Sequence, residues 1–267
     1  MYTCGVDLRD RHVLITGASR GIGLAAAREA AARGARVSLV ARSAPALQQA
    51  ASQLGGTAVV ADLADLDQVA TILPRANEAH GPVDVLIDNA AMMGMGAFAR
   101  LDAETVRATL TANVLAHIEL ARGALGPMLE RRTGSVVVVS SLAGEMALRN
   151  IALYGSSKAA LSYFVRTLQR ELRGTGVLAQ QAILGGVDTE LLRENQADPV
   201  AGPSSQRLAK AVPVPSAEFV ARKLIEHVER GRRRPLVLPP AAIGVVALRH
   251  LPTSLTDLLL RGMPPSL

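Results

Sequence analysis

At 267 residues with 49% hydrophobic but only 2% aromatic side chains, the chain is long enough for one large α/β core, and its alanine-rich aliphatic make-up suits helices on a buried parallel sheet better than an all-β sandwich. So few aromatics leave little for single-stranded nucleic acid to stack on, and no nucleic-acid partner is expected. The net charge of +6, from 29 basic and 23 acidic residues, owes much to "ERGRRRP" near position 230, which reads as a solvated loop before a strand.

The N-terminal "MYTCGVDLRDRHVLITG" carries charges where an export signal needs an apolar run. Cys4 is alone, which excludes an intrachain disulfide framework and a cysteine metal cage, and points to a reducing, cytoplasmic setting. The chain then enters its first predicted strand, "HVLITG", and "LITGASRGIGLAAA" carries it into an amphipathic helix over 21–33. Glycines at 17, 21 and 23 allow a tight turn, a close backbone approach to a diphosphate and a helix start near the sheet.

The second strand, "ARVSLVAR", ends without a carboxylate, and no Asp or Glu occurs from Ala30 to Ala61. An NAD site wants an acid there for the ribose hydroxyls, whereas a 2′-phosphate wants positive charge. Ala41 occupies the acidic position, Arg42 follows it, Ser43 adds a donor and Arg20 projects from the glycine turn, so NADP(H) is the expected cofactor.

Further strands follow as "TAVVADL", "VDVLIDNAA", "GSVVVVSS", "VLAQQAILG" and "RPLVLP", alternating with amphipathic stretches near 64–80, 102–131, 154–173 and 216–230. This alternation predicts a doubly wound, Rossmann-type parallel sheet of about seven strands with helices on both faces, in a single domain over 1–267. The polar, four-proline stretch 193–215 reads as a flap over a site, and 241–267 as an apolar C-terminal extension. The five histidines, at 12, 80, 117, 227 and 250, lack ligand spacing, and no metal is expected. The uncharged run Pro235 to Leu248 is too short and too proline-broken to span a membrane.

In "LYGSSKAAL", Tyr154 and Lys158 are four apart and share a helix face. Taken alone, that spacing fits a surface tyrosine covered by a lysine stem. The whole set of motifs resembles the short-chain dehydrogenase/reductase family. "TGASRGIG" at 16–23 is similar to its cofactor turn, Asp62 in "VVADL" to its adenine-contacting acid and "DNAA" at 88–91 to its NNAG element, with Asp88 and Ala91 as departures. Asn113 in "LTANVLA", Ser141 in "VVVVSSLAG" and the Tyr154 and Lys158 of "YGSSK" match its catalytic tetrad, and Ser141 is preferred over Ser140 by its thirteen-residue interval to Tyr154. "ILGGVDTEL" resembles its PG-x-V-x-T segment with Leu184 in place of proline, and a more mobile loop is expected there. The resemblance implies cofactor contacts from Gly17, Ser19, Arg20, Gly21, Ile22, Gly23, Arg42, Ser43, Asp62, Leu63, Asn89, Ala90, Tyr154, Lys158, Val187 and Thr189.

By the same resemblance, Tyr154 exchanges the proton, Lys158 holds the nicotinamide ribose and tunes the phenol, Ser141 polarises the carbonyl, and Asn113 extends the proton path through a backbone kink. A phenol near pKa 10 needs such help: a cation about 4 Å away at an effective dielectric near 20 is worth roughly 4 kcal/mol. "AAMMGMGAF", with three of the seven methionines, and Leu142, Met146, Leu148 and Leu153 suggest an apolar wall, hence an apolar ketone or secondary alcohol. A 3-oxoacyl-thioester reductase and a non-catalytic cofactor-binding regulator are the alternatives. Helices 102–131 and 154–173 imply a homodimer or homotetramer through the resemblance. The extension 241–267 has three open readings: it covers the sheet edge, packs across a dimer, or rests on a membrane surface.

Overall fold

The computed structural model describes residues 5–148, 150–197 and 213–247. Seven parallel strands form one sheet in the order β3-β2-β1-β4-β5-β6-β7: β1 (His12–Thr16), β2 (Arg36–Ala41), β3 (Thr57–Val60), β4 (Val85–Asp88), β5 (Gly134–Ser141), β6 (Val177–Leu184) and β7 (Leu236–Leu238). Every expected strand is present. The helices are α1 (Gly21–Ala32), α2 (Ala44–Leu54), α3 (Leu66–His80), α4 (Ala103–Leu110), α5 (Ala116–Glu130), α6 (Ala152–Glu171), α7 (Glu190–Ala197), α8 (Ala217–Glu229) and the short α9 (Ile243–Ala247).

Alternation along β1 shows why the sheet is covered on both faces. Val13 and Ile15 pack into one core with Ala26, Ala27 and Ala30 of α1 and Val220 and Leu224 of α8. Leu14 points the other way, into a core with Ile72 of α3, Leu120 of α5 and Leu161 and Val165 of α6. The buried alanines of α1 bring it close to the sheet, which places its N-terminus over the end of β1. The strand order reverses between β1 and β4, and in such sheets the crevice beyond the carboxyl ends of the strands at that point receives ligands.

Two features differ from the sequence reading. The helix α2 is additional: Pro45 reads as a loop signal, but it falls in the first turn, where a missing N–H costs nothing, and Leu47, Ala50 and Ala51 make a buried stripe. Leu184, expected in a loosened loop, is the last residue of β6, paired with Ser141 of β5 and Leu238 of β7 and 5% exposed. Of the expected flap, 193–197 belong to α7, and 198–212 lie outside the described residues, as do 248–267 of the C-terminal extension.

Candidate active site

The cofactor end is built around the β1–α1 turn. Gly17 has φ +67°, and a Cβ there would come within 2.9 Å of the Ala90 Cα; a Cβ on Gly23 would collide with the Gly17 carbonyl oxygen. Only glycine fits both places. Arg20, the N-cap of α1, offers no side-chain cap, which leaves the first-turn N–H groups for an anion. Thr16 clamps the neighbouring strand end: its Oγ1 accepts from the N–H of Asn89 at 2.9 Å and of Ala90 at 3.0 Å, while Asn89 Nδ2 donates to the Thr16 carbonyl at 3.0 Å. The glycine cradle and open helix end therefore suit a dinucleotide diphosphate.

At the adenine end, Arg42 is 3.9 Å from Asp62 and largely exposed. Asp62 also accepts from the Ala64 N–H at 2.9 Å, and Leu63 is buried. Ser43 is the N-cap of α2 without a side-chain bond. Arg20 points elsewhere than its expected role requires. Its guanidinium donates to Glu190 at 2.8 Å and Glu194 at 2.7 Å, tying the glycine turn to α7, and these carboxylates hold it charged. At the nicotinamide end, Val187 is buried, and the Thr189 Oγ1 donates to the Val187 carbonyl at 3.2 Å and accepts from Leu192 N–H. The Thr189 methyl lies against Gly21.

The proposed tetrad converges beyond the ends of β4 and β5. Ser141 ends β5, partly exposed; its Oγ accepts from the Ala143 N–H at 3.1 Å, and its hydroxyl lies close enough to the Tyr154 phenol to favour the ionised form. Ser140 is buried and occupied: its Oγ bonds the Lys158 carbonyl at 3.1 Å and Ser162 Oγ at 2.7 Å. Leu142–Gly144 packs so tightly on α6 that a Cβ on Gly144 would meet the Ala159 nitrogen at 2.7 Å, which fixes Ser141 relative to Tyr154. Between α4 and α5, Thr111–Leu115 forms a π-helical turn around Asn113. The Asn113 side chain is wholly buried and inward: Oδ1 accepts from Met92 N–H at 2.7 Å, and Nδ2 donates to the Met92 carbonyl at 2.8 Å and to Ser157 Oγ at 3.1 Å. Asn113→Ala is expected to cost about 2–4 kcal/mol, since it strands buried backbone groups of Met92; the urea midpoint reads it, and a loss below about 1 kcal/mol would contradict this bracing role.

The electrostatics depart from expectation. Lys158 Nζ donates to the Val139 carbonyl at 3.0 Å and sits 6.0 Å from the Tyr154 ring centre. Burial lowers Lys158 to about 8, opposed by Asp88. Burial likewise raises Tyr154, with the Ser141 hydroxyl opposing it. Burial therefore sets the direction for the phenol, and Lys158 is not among the groups that act on it.

Two pairings escaped sequence reasoning. One is the Arg20–Glu190–Glu194 clasp. The other joins Asp88 to His117, residues 29 apart in sequence: Nδ1 is 3.0 Å from Asp88 Oδ1, a short but poorly aligned contact, and both are buried. No spacing rule links such residues; only the replacement of asparagine by Asp88 marked the place. Of the expected apolar wall, Leu142 and Leu153 are buried in packing, while Met92, Met93, Met95, Met146 and Leu148 are partly exposed. A 520 Å³ groove walled by Pro213, Val214, Pro215, Phe219, Pro239 and Pro240 is apolar, but shares no residue with the tetrad.

A doubly wound sheet with a glycine cradle at the first strand-to-helix turn, and a Ser–Tyr–Lys cluster beyond the next strands, defines an oxidoreductase of the nucleotide-binding α/β class. The chain belongs to the short chain dehydrogenase family, whose model matches residues 11–200. It is 37% identical over 175 residues to the ketoacyl reductase HetN of Nostoc sp., covering 64% of this chain and 61% of that protein. It is 32% identical over 231 residues to 3-ketodihydrosphingosine reductase of Bos taurus, covering 82% and 69% respectively. Among solved structures, an actinorhodin polyketide ketoreductase with NADPH superposes with a TM-score of 0.76 at 28% identity, covering 85% of this chain and 95% of that one.

Proposed function

We propose that the protein is an NADP(H)-dependent oxidoreductase that interconverts an apolar ketone and its secondary alcohol. The observation that carries this reading is the joining of Ser141 and Tyr154 beyond β5, with Lys158 buried one helical turn further along α6. When bound, the nicotinamide supplies or accepts the hydride. Ser141 donates a hydrogen bond to the substrate oxygen where negative charge develops, and Tyr154 gives it a proton in reduction and takes one in oxidation. Lys158 holds the nicotinamide ribose, and the π turn at Asn113 opens the proton path. Gly17, Ser19, Gly21, Ile22 and Gly23 cradle the diphosphate; Asp62 and Leu63 flank the adenine; Asn89, Ala90, Val187 and Thr189 line the nicotinamide half.

The choice of NADP(H) rests on Ala41 where an acid would stand, and on the exposed Arg42 and Ser43 beside it. Arg20 joins them once released from Glu190 and Glu194. Each exposed pair is worth about 0–1 kcal/mol, so Glu190→Gln with Glu194→Gln is expected to tighten NADPH binding several-fold and leave NADH unchanged, as fluorescence titration would show. Equal tightening of both would remove Arg20 from the phosphate site. A 3-oxoacyl thioester is the second substrate reading, favoured by the ketoacyl and polyketide reductases among the relatives. Exposed Leu110, Leu115, Leu129 and Tyr163 on α4 to α6 support a homodimer or homotetramer. Among the described residues no helix is long and apolar enough to cross a membrane. NADPH and NADH consumption against ketones and acyl thioesters tests the whole reading: preference for NADH, or turnover of highly polar substrates alone, would overturn it.

A further inference from the structure

The last residues of β5 grip Lys158 at both its side chain and its backbone. The Val139 carbonyl accepts from Lys158 Nζ at 3.0 Å, and Ser140 Oγ donates to the Lys158 carbonyl at 3.1 Å. Ser141, next in line, is the residue read above as the partner of the substrate oxygen. Behind this grip lies a chain of buried polar side chains. Ser140 Oγ is 2.7 Å from Ser162 Oγ on α6, and Gln181 Nε2 on β6 donates to that same Ser162 oxygen at 2.9 Å. Ser140, Ser162 and Gln181 are exposed by no more than 2%.

The direction of the chain is forced. A carbonyl only accepts, so the single Ser140 proton goes to Lys158. The 2.7 Å bond is then donated by Ser162, whose oxygen accepts from Gln181. One ordered series therefore runs from Gln181 through Ser162 and Ser140 to the Lys158 carbonyl. Around it, α6 meets the sheet through Leu161, Val165 and Leu168, and apolar contacts of that kind are non-directional. A satisfied buried network selects one arrangement where apolar packing alone admits several.

We propose that Ser140, Ser162 and Gln181 are positioning residues: their series locks the Lys158 turn of α6 against β5, and so sets Tyr154 and Lys158 on the helix relative to Ser141 on the strand. The effect on turnover rests on the tetrad reading given above, but the seat of Lys158 is measurable without turnover. The far end of α6 supplies a comparison. Gln169, about three turns beyond Lys158, also ties the helix down, donating to the Ala179 carbonyl at 3.1 Å and the Arg233 carbonyl at 3.0 Å.

Ser140→Ala, and the triple variant Ser140→Ala with Ser162→Ala and Gln181→Met, are compared with Gln169→Met. The triple variant removes every side chain of the series together, which leaves none of them stranded without a partner. The chain has three lysines, Lys158, Lys210 and Lys223, so ε-13C-lysine NMR of the full-length, cofactor-free protein follows Lys158, and Lys158→Met identifies its signal. Burial holds Lys158 at about 8. A loosened seat admits water, so the Lys158 midpoint is expected to rise by about half a pH unit or more in both Ser140 variants. Their kcat is expected to fall by about 10–10²-fold, with KM for the ketone changed less than about threefold, because slight misplacement of reacting groups is costly. Gln169→Met is expected to leave both readings at parental values. A Lys158 midpoint unchanged in the triple variant, or moved as far by Gln169→Met, overturns the proposal. So does a parental kcat in the triple variant when Tyr154→Phe is impaired. If Tyr154→Phe keeps parental turnover while the Lys158 midpoint still moves, the seat stands and the catalytic reading falls.

Discussion

Replacing Tyr154 by phenylalanine is expected to lower kcat by about 10²–10⁴-fold, the usual contribution of a positioned proton donor, with little change in NADPH affinity. The variant removes one oxygen from α6 and leaves the helix, the glycine cradle and Lys158 in place. The lost hydroxyl makes no hydrogen bond that holds the fold, and Ser141 keeps the bond it accepts from the Ala143 N–H, so the fold is expected to survive. Burial keeps the phenol protonated in the cofactor-free chain, which suits a proton donor in ketone reduction and leaves it a poor base for alcohol oxidation until another charge joins the site. Reduction is therefore expected to outpace oxidation near neutral pH in the parent. Single-turnover absorbance at the nicotinamide band, with binding measured separately, checks both points. A Tyr154→Phe enzyme reducing a found substrate at the parental rate would move the proton donor elsewhere.

The strands were legible because a sheet buried on both faces needs continuous β-branched runs, and "SVVVVSS" or "VLIDN" admits few other readings. The glycine turn was legible for a similar reason: Gly17 and Gly23 answer backbone constraints that no other residue meets. Side-chain direction was less so. Asn113 was expected in a proton path through a kink; the structure has a π-helical turn there, and its amide faces Met92 and Ser157. Arg20 was assigned to a phosphate, and it reaches instead to carboxylates 170 and 174 positions away. Tertiary pairing of this kind leaves no local periodicity. The clearest miss was electrostatic: four-residue spacing places Lys158 near Tyr154, but cannot show that Lys158 is sealed from water and Tyr154 largely desolvated, and desolvation decides the sign of their shifts.

That sign gives Lys158→Met opposite effects on activity and stability. A lysine that titrates at 10.5 when free and about 8 when folded binds more protons in the unfolded chain between those two values. Unfolding free energy therefore rises with pH across that window. Below about 8 the folded protein carries the full cost of a buried ammonium, about 3 kcal/mol from a gap of 10.5 − 8; above 10.5 the side chain is neutral in both states and the cost is gone. Methionine fills similar space without the charge, at the loss of one hydrogen bond to Val139, worth about 1 kcal/mol. At pH 7 the cofactor-free Lys158→Met protein is accordingly expected to be more stable than the parent by about 1–3 kcal/mol, with that advantage lost above the unfolded value. Activity should fall by about 10²–10⁴-fold, because neither the ribose contact nor the cation remains. Urea midpoints at neutral and alkaline pH, paired with kcat/KM, separate the two effects. A variant less stable than the parent at pH 7 would mean that the lysine is not desolvated as the structure has it, and that its charge is held by more than Asp88.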